Sequence, residues 1–290
     1  MNPRSRVPDE LARVLIHIQG HLDGDLSLRT LAAVSHVSPF HFHRTFRALV
    51  GETVKGYVQR VRLERAAIRL LLHRDAVYGV ALDAGFRNHE TFCRAFKKRF
   101  GVSPRSYRRR IPRGRSDKPH EHAIDESTRG FKLSKTRVVE LAETHLACLR
   151  HVGPYEKVPP GNWDRLTAWA RRSGVPGPLV LFGIAHDAPG ITAASKLRFD
   201  AGLRIPRPMN LRGSIACQSL SAGPFSLTTH LGHFRTLARA YQTIFARLSR
   251  LSGYDVLGLP AVEVYRTTTI NPESEINETD IYIPLRRRSR

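Results

Sequence analysis

The sequence predicts two domains of different class. An all-α double helix-turn-helix domain occupies residues 1–110. An α+β domain of two pseudo-symmetric βαββ units occupies 136–290, and a linker over 111–135 joins the two. Three observations carry this. The stretch SPFHFHRTFRALVG (38–51) returns as NHETFCRAFKKRFG (88–101), with Phe42/Phe92, Arg44/Arg94, Phe46/Phe96 and Gly51/Gly101 in register, continuing to Tyr57/Tyr107. A second, unrelated repeat aligns residues 151–174 with 230–253 at an offset of 79 residues. Between the two repeats, IPRGRSDKPHEHAIDESTRGFKLSK has few apolar residues, two prolines and mixed charge, the composition of a domain boundary and tether.

A chain of 290 residues accommodates two domains of ordinary size. Its 41% hydrophobic and 25% charged content suits a soluble fold, and no run of 18 apolar residues is present to span a membrane. The opening MNPRSRVPDELARVL lacks the apolar core of a secretory signal. Cys93, Cys148 and Cys217 lie far apart, as reduced thiols of a cytoplasmic protein would. The net charge of +22 is uneven: residues 1–110 hold 21 Lys/Arg against 9 Asp/Glu, so the first third faces a polyanion.

Residues 8–22 place Leu11, Val14, Leu15, Ile18 and Leu22 on one helical face. Residues 28–34 form a short helix packed through Leu31 and Ala32. Ser38 caps a further helix over 39–50, with Pro39 in its first turn; it buries Phe42 and Phe46 and leaves His41, His43, Arg44 and Arg47 on other faces. Residues 53–74 read as one long connecting helix. The second copy has a supporting helix at 78–84, Gly85 at the turn and Asn88 as cap. Phe92 and Phe96 point inward, leaving His89, Glu90, Cys93, Arg94, Lys97 and Lys98 available. A short helix, a tight turn and a second helix with a polar face form the DNA-reading pattern, and two readers on a stiff connector span successive major grooves about 34 Å apart. This predicts binding of double-stranded DNA by a single chain. His17 and His21, and His41 and His43, have no further ligands close in sequence, so no metal site or cofactor is expected.

In the second domain each repeat reads strand, helix, strand, strand. TRVVELAETHLACLRHVG alternates as a strand pair or an interrupted strand, and LFGIAHD and PAVEVYR are strands at equivalent positions. Both repeats end in Ile-Pro, at Ile205-Pro206 and Ile283-Pro284. Two such units would place their helices on one side, with a cleft between the units. In PAVEVYRT, Ala261, Glu263 and Tyr265 share one strand face. An acid in an apolar strand needs a partner. That partner is a lipophilic cation stacked on aromatic rings, or an arginine, or Glu263 lies on an edge strand facing water. Tyr155, Trp163, Trp169, Phe182 and Tyr265 are candidate walls of a small-molecule site, each also a candidate core residue.

LSLRTLAAVSHVSPFHFHRTFRALVGETVKGYVQRVRLERAAIRLL followed by VYGVALDAGFRNHETFCRAFKKRFGVSPRSYRR resembles the DNA-binding domain of AraC/XylS transcription regulators over about 8–110. The resemblance implies base contacts from Phe40, His43 and Arg44 in the first reader and from His89, Glu90, Cys93 and Arg94 in the second. Arg44 and Arg94 are either base readers or partners of a carboxylate on the supporting helix. Arg47 is a further DNA-contact candidate, and Lys97 and Lys98 would meet phosphates. LRHVGPY, GIAHDAP, HLGHF, PAVEVY and DIYIPL resemble the GyrI-like small-molecule-binding domain over about 136–286, and the domain order resembles the Rob (right-origin-binding) regulators. This implies a ligand-responsive transcription regulator that is not an enzyme. Its effector would be small, lipophilic or cationic and held around Glu263, and RNA polymerase would be a further candidate partner. Two alternatives remain: a hydrolase of reactive cyclopropane-type natural products, with Glu263 as general base and Tyr265 or Tyr155 orienting the substrate, and a protein-contact module without a ligand.

Overall fold

The computed structural model describes residues 9–22, 24–72, 76–109, 130–211, 213–257, 260–266 and 276–288. Most of the expected linker therefore lies outside the described residues.

The N-terminal half is helical: α1 (Asp9–Gly20), α2 (Leu28–Val34), α3 (Pro39–Val50), α4 (Val54–Leu72), α5 (Val77–Asp83), α6 (His89–Phe100) and α7 (Pro104–Arg108). Two apolar cores result. The first gathers Leu15, Ile18, Leu31, Phe42 and Phe46 with Tyr57, Val58 and Val61. The second gathers Val80, Ala81, Phe92, Phe96 and Tyr107 with Leu63, Ala66, Ala67 and Leu70. Helix α4 supplies both cores from consecutive turns, so the connector is rigid because it is buried twice. Charge reinforces this. Glu64, only 2% exposed, accepts from Arg60 Nη1 at 3.0 Å and from Arg99 Nη2 of α6 at 2.9 Å, and Arg60 also holds Glu52 at 2.8 Å.

The C-terminal half is a sheet of ten strands with helices α8 (Gly161–Arg172) and α9 (Leu237–Leu248) on one face. Its strands are β1 (Phe131–Leu133), β2 (Arg137–Leu141), β3 (Thr144–Val152), β4 (Leu181–Ala185), β5 (Arg198–Ile205), β6 (Ala216–Leu220), β7 (Gly223–Gly232), β8 (Tyr254–Val256), β9 (Ala261–Tyr265) and β10 (Asn277–Arg287). The main path runs β1-β7-β10-β9-β4-β5-β3-β6, with β2 also on β7 and β8 on β10. The two βαββ units, β3-α8-β4-β5 and β7-α9-β9-β10, meet where β4 pairs antiparallel with β9 and Gly183 faces Glu263. The two units therefore share one continuous sheet. β2 and β3 do not pair with each other. β2 joins β7 of the second unit, and β6, the segment before that unit, joins β3 of the first. β1 forms within residues read as linker.

Strand alternation divides the sheet. The face under the helices carries Leu149, Leu181, Phe199, Ala201, Leu203 and Tyr265. The opposite face carries Leu146, Cys148, Phe182, Ile184, Ala216 and Val262, and Ile16 of α1 closes over this layer. The helical domain thus docks on the side of the sheet that α8 and α9 leave open.

Candidate functional site

Each domain carries one group of candidate site residues. On the helical domain, α3 and α6 repeat each other in geometry as well as sequence. Ser38 and Asn88 cap them, accepting from His41 N at 3.3 Å and Thr91 N at 2.7 Å. Both end on a left-handed glycine, Gly51 (φ 77°) and Gly101 (φ 76°), a conformation that favours residues without a Cβ. Phe46 meets Tyr57 edge-on at 5.6 Å, and Phe96 meets Tyr107 edge-on at 5.3 Å.

With the phenylalanines turned inward, the outer faces carry the expected readers. Phe40 is 78% exposed at the first turn of α3, Arg44 and Arg47 are exposed, and His43 is half-buried. On α6, His89, Glu90, Arg94, Lys97 and Lys98 are exposed. Neither Arg44 nor Arg94 has an ion pair among the described residues, so the pairing with a supporting-helix carboxylate is not formed. Cys93 is half-buried with Sγ 3.5 Å from His89 Nε2, and burial pushes its thiol up, keeping it neutral. Lys97 and Lys98 stand in the last turn of α6, where positive charge suits the helix dipole.

On the sheet, Glu263 is 4% exposed at the middle of β9, a strand flanked by β10 and β4. It is therefore not on an edge, and among the described residues it has no arginine partner. Its partners are two tyrosine hydroxyls: Tyr241 donates to Oε1 at 2.8 Å and Tyr265 to Oε2 at 2.7 Å. Burial raises its pKa, and the two hydroxyls oppose part of that rise. The opposed position has to be glycine. A Cβ on Gly183 would meet the Tyr265 hydroxyl, Phe199 Cζ at 2.6 Å and Glu263 Oε2 at 3.1 Å. Aromatic rings close the surroundings: Trp163 is edge-on to Tyr265 at 5.5 Å, Phe234 is edge-on to Tyr265 at 5.7 Å, and Tyr155 lies 5.8 Å from Phe199. Trp163 is held by its indole N–H, which donates to the Phe182 carbonyl at 2.8 Å.

Five of the six expected wall and acid residues thus lie on the helix face, Trp169 half-buried against that cluster and further along α8. Phe182 is the correction. It alternates out of register with Gly183 and packs on the opposite face beneath α1; only its carbonyl reaches Trp163. Sequence reading missed Tyr241, Phe199 and Phe234. A signal for Tyr241 existed: it lies on the apolar stripe of α9 with Leu237, Ala240, Ile244 and Leu248, where a hydroxyl needs a buried acceptor.

Residues 31–110 match the family described as helix-turn-helix domain, and residues 134–286, more than half of the chain, match the GyrI-like small molecule binding domain. The chain belongs to the GyrI-like family, with a helix-turn-helix domain ahead of that module. Over 96 residues it is 38% identical to the right origin-binding protein of Escherichia coli (strain K12), covering 33% of each chain. Over 117 residues it is 36% identical to the uncharacterized HTH-type transcriptional regulator YbfP of Bacillus subtilis (strain 168), covering 40% of this chain and 39% of that one. The DNA-binding domain of AdpA, a global transcriptional factor solved with a target DNA, is 32% identical with a TM-score of 0.34, covering 34% of this chain and 90% of that one. The chain spans about a third of the length of the first curated relatives it matches. Among the described residues no helix is long and apolar enough to cross a membrane.

Proposed function

We propose that this protein is a cytoplasmic, sequence-specific transcription regulator that binds double-stranded DNA and answers to a small effector. The observation that supports DNA reading is the pair of capped, equivalent helices whose exposed faces carry arginines and lysines without an ion pair among the described residues, both anchored on one buried connector. Arg44 and Arg94 suit guanine edges, and Arg47, Lys97 and Lys98 suit phosphates. Selection of duplexes from a random library with the full-length chain, followed by footprinting, tests this. Two protected major-groove patches about one helical turn apart are expected. Protection of a single patch would refute two-reader binding.

The effector reading is supported by Glu263, a carboxylate buried among Tyr241, Tyr265, Trp163, Phe199 and Phe234. An acid desolvated between aromatic faces suits a lipophilic cation, which supplies both its counter-charge and ring contacts. Trp163 and Trp169 are the only tryptophans, so their fluorescence reports on this region alone. Titration with tetraphenylphosphonium should give saturable quenching, and the isosteric neutral tetraphenylmethane should not. Equal responses would remove the charge argument. The hydrolase alternative rests on the same carboxylate and hydroxyls, and product analysis of a titration with a cyclopropane-bearing substrate separates turnover from binding. RNA polymerase remains a partner suggested only by the regulator reading.

A further inference from the structure

The segment between β4 and β5 together with Arg198, the first residue of β5 (residues 186–198), crosses from the sheet to the helical domain and touches both helix-turn-helix units. Arg198 donates through Nη1 to Gln19 of α1 at 2.5 Å, and its charge lies beside the Tyr57 phenol. Lys196 pairs with Glu52 at 3.3 Å. These contacts hold the first unit. Ile191 packs against the core of the second unit, the cluster that includes Leu63, Leu70 and Phe92. Between these points His186, Asp187 and Arg198 line a small cleft against Gln19, Val61, Glu64 and Ile68, mostly from the connector α4.

The sheet end of this segment is fixed by buried charge. Asp187 holds Arg198 bidentately at 2.6 and 2.9 Å and also accepts its backbone N–H at 2.7 Å. Asp200 binds Arg150 through two nitrogens and His186 Nε2 at 2.6 Å. Groups so paired cannot separate cheaply, so displacement of β4 or β5 passes to Arg198 rather than dissipating in the loop. The same two strands present Gly183, Ala185, Phe199 and Ala201 to the helix face, around Glu263. The space above Gly183 is already filled by Tyr265, Phe199 and Glu263, so anything bound against that carboxylate has to move Phe199 or Tyr265. One residue beyond Phe199 on either side, Arg198 and Asp200 point the other way. Tyr57, beside Arg198, rests edge-on against Phe46, the buried anchor of reader α3.

We infer that residues 186–198 are a splint along α4 that couples occupancy beside Glu263 to the grip of the two readers on DNA. The inference rests on the effector reading given above and names its route of regulation. Linkage makes the coupling reciprocal: DNA bound to the readers changes effector affinity by the same factor as effector changes DNA affinity.

A double-mutant cycle tests the splint without any ligand. Gly183→Ala inserts a methyl into the filled space, and Tyr241→Phe, a milder change, removes one hydroxyl from Glu263. Gln19→Ala combined with Ile191→Ala opens the splint at its far ends. Dissociation constants for the selected duplex are measured at fixed salt, with thermal unfolding of every variant as a check on folding. Gly183→Ala or Tyr241→Phe should change the constant about five-fold or more, and the change should shrink below about two-fold when the splint is open. Folded variants that bind the duplex as wild type does, or an effect that persists with the splint open, would overturn the inference. If Gly183→Ala does not fold, Tyr241→Phe carries the test. Tetraphenylphosphonium then separates the two readings. Saturable quenching with one affinity, duplex present or absent, overturns the splint and leaves the effector site standing. No quenching at all sinks the lipophilic-cation reading, while the cycle still judges the splint.

Discussion

Replacing Glu263 by glutamine should have two effects of opposite sign. The carboxylate is buried, accepts two hydroxyls and has a raised pKa caused first by burial. In the folded state its charge is disfavoured relative to the unfolded chain, so the glutamine variant gains stability at pH 7, by about 1–2 kcal/mol. For a domain of this size that raises the melting temperature by about 2–8 °C. The sign follows from linkage. A raised folded pKa means the glutamate costs nothing below the unfolded value of 4.5 and costs more as pH climbs through the folded value. The advantage of glutamine should therefore be present at pH 7 and vanish near pH 4. Binding goes the other way. A cation about 4 Å from the carboxylate gains about 4 kcal/mol at an effective permittivity of about 20, and lost hydration cancels part of this. The variant should bind tetraphenylphosphonium about ten- to a hundred-fold more weakly. Calorimetry and tryptophan quenching on the same preparations decide it. A variant less stable at pH 7 would make Glu263 a structural keystone, and unchanged affinity would remove it as counter-ion; either result refutes the reasoning.

Arg94→Ala should weaken specific DNA binding by about 1–3 kcal/mol and relax base preference at one position, measured by competition among single-base variants of the selected duplex. Unchanged preference would remove Arg94 from the readers. Lys97→Ala should reduce the salt slope of binding by about one unit with preference intact, and an altered preferred sequence would contradict a phosphate role. Glu64→Gln breaks two ion pairs, one of them linking α4 to α6, and should cost about 3 kcal/mol in urea unfolding. Burial depresses the His230 pKa to about 4, so the fold keeps that ring neutral while the unfolded chain protonates it near 6.5. Stability should fall as pH drops from 6.5 towards 4, and His230→Gln should flatten that part of the pH profile.

The helical domain was legible because its determinants are local. Ser38, Asn88, Gly51 and Gly101 punctuate the chain where caps belong, and the phenylalanine spacing marks each buried stripe. Helix bounds expected at 28–34 and 39–50 coincide with α2 and α3. The sheet was legible in its repeat but not in its pairing. Nothing in RVVEL announces that it joins β7 rather than the adjacent THLACLRHV, because strand partners are chosen by distant hydrogen bonds and not by local pattern. Phe182 went to the wrong face for a related reason: a strand buried on both sides is apolar throughout, so composition does not tell its faces apart. Glu263 and Tyr265 share a face by alternation, whereas Tyr241 reaches the carboxylate, and Phe199 the space beside it, from other elements. The contact of Gln19 with Arg198 joins residues 179 apart in the chain and leaves no local trace.

The exchange of β2 and β6 has a consequence for how the C-terminal half can be divided. Each βαββ unit is completed at its outer edge by a ribbon that belongs, in chain order, to the other unit. A cut near residue 210, between β5 and β6, yields two fragments, each missing an edge and each carrying the piece its counterpart lacks. Neither fragment would be self-sufficient, yet mixing them restores both edges at once. Such a module behaves as a clasp with two hooks rather than as two beads on a string, and its halves would find each other in solution as a matched heterodimer.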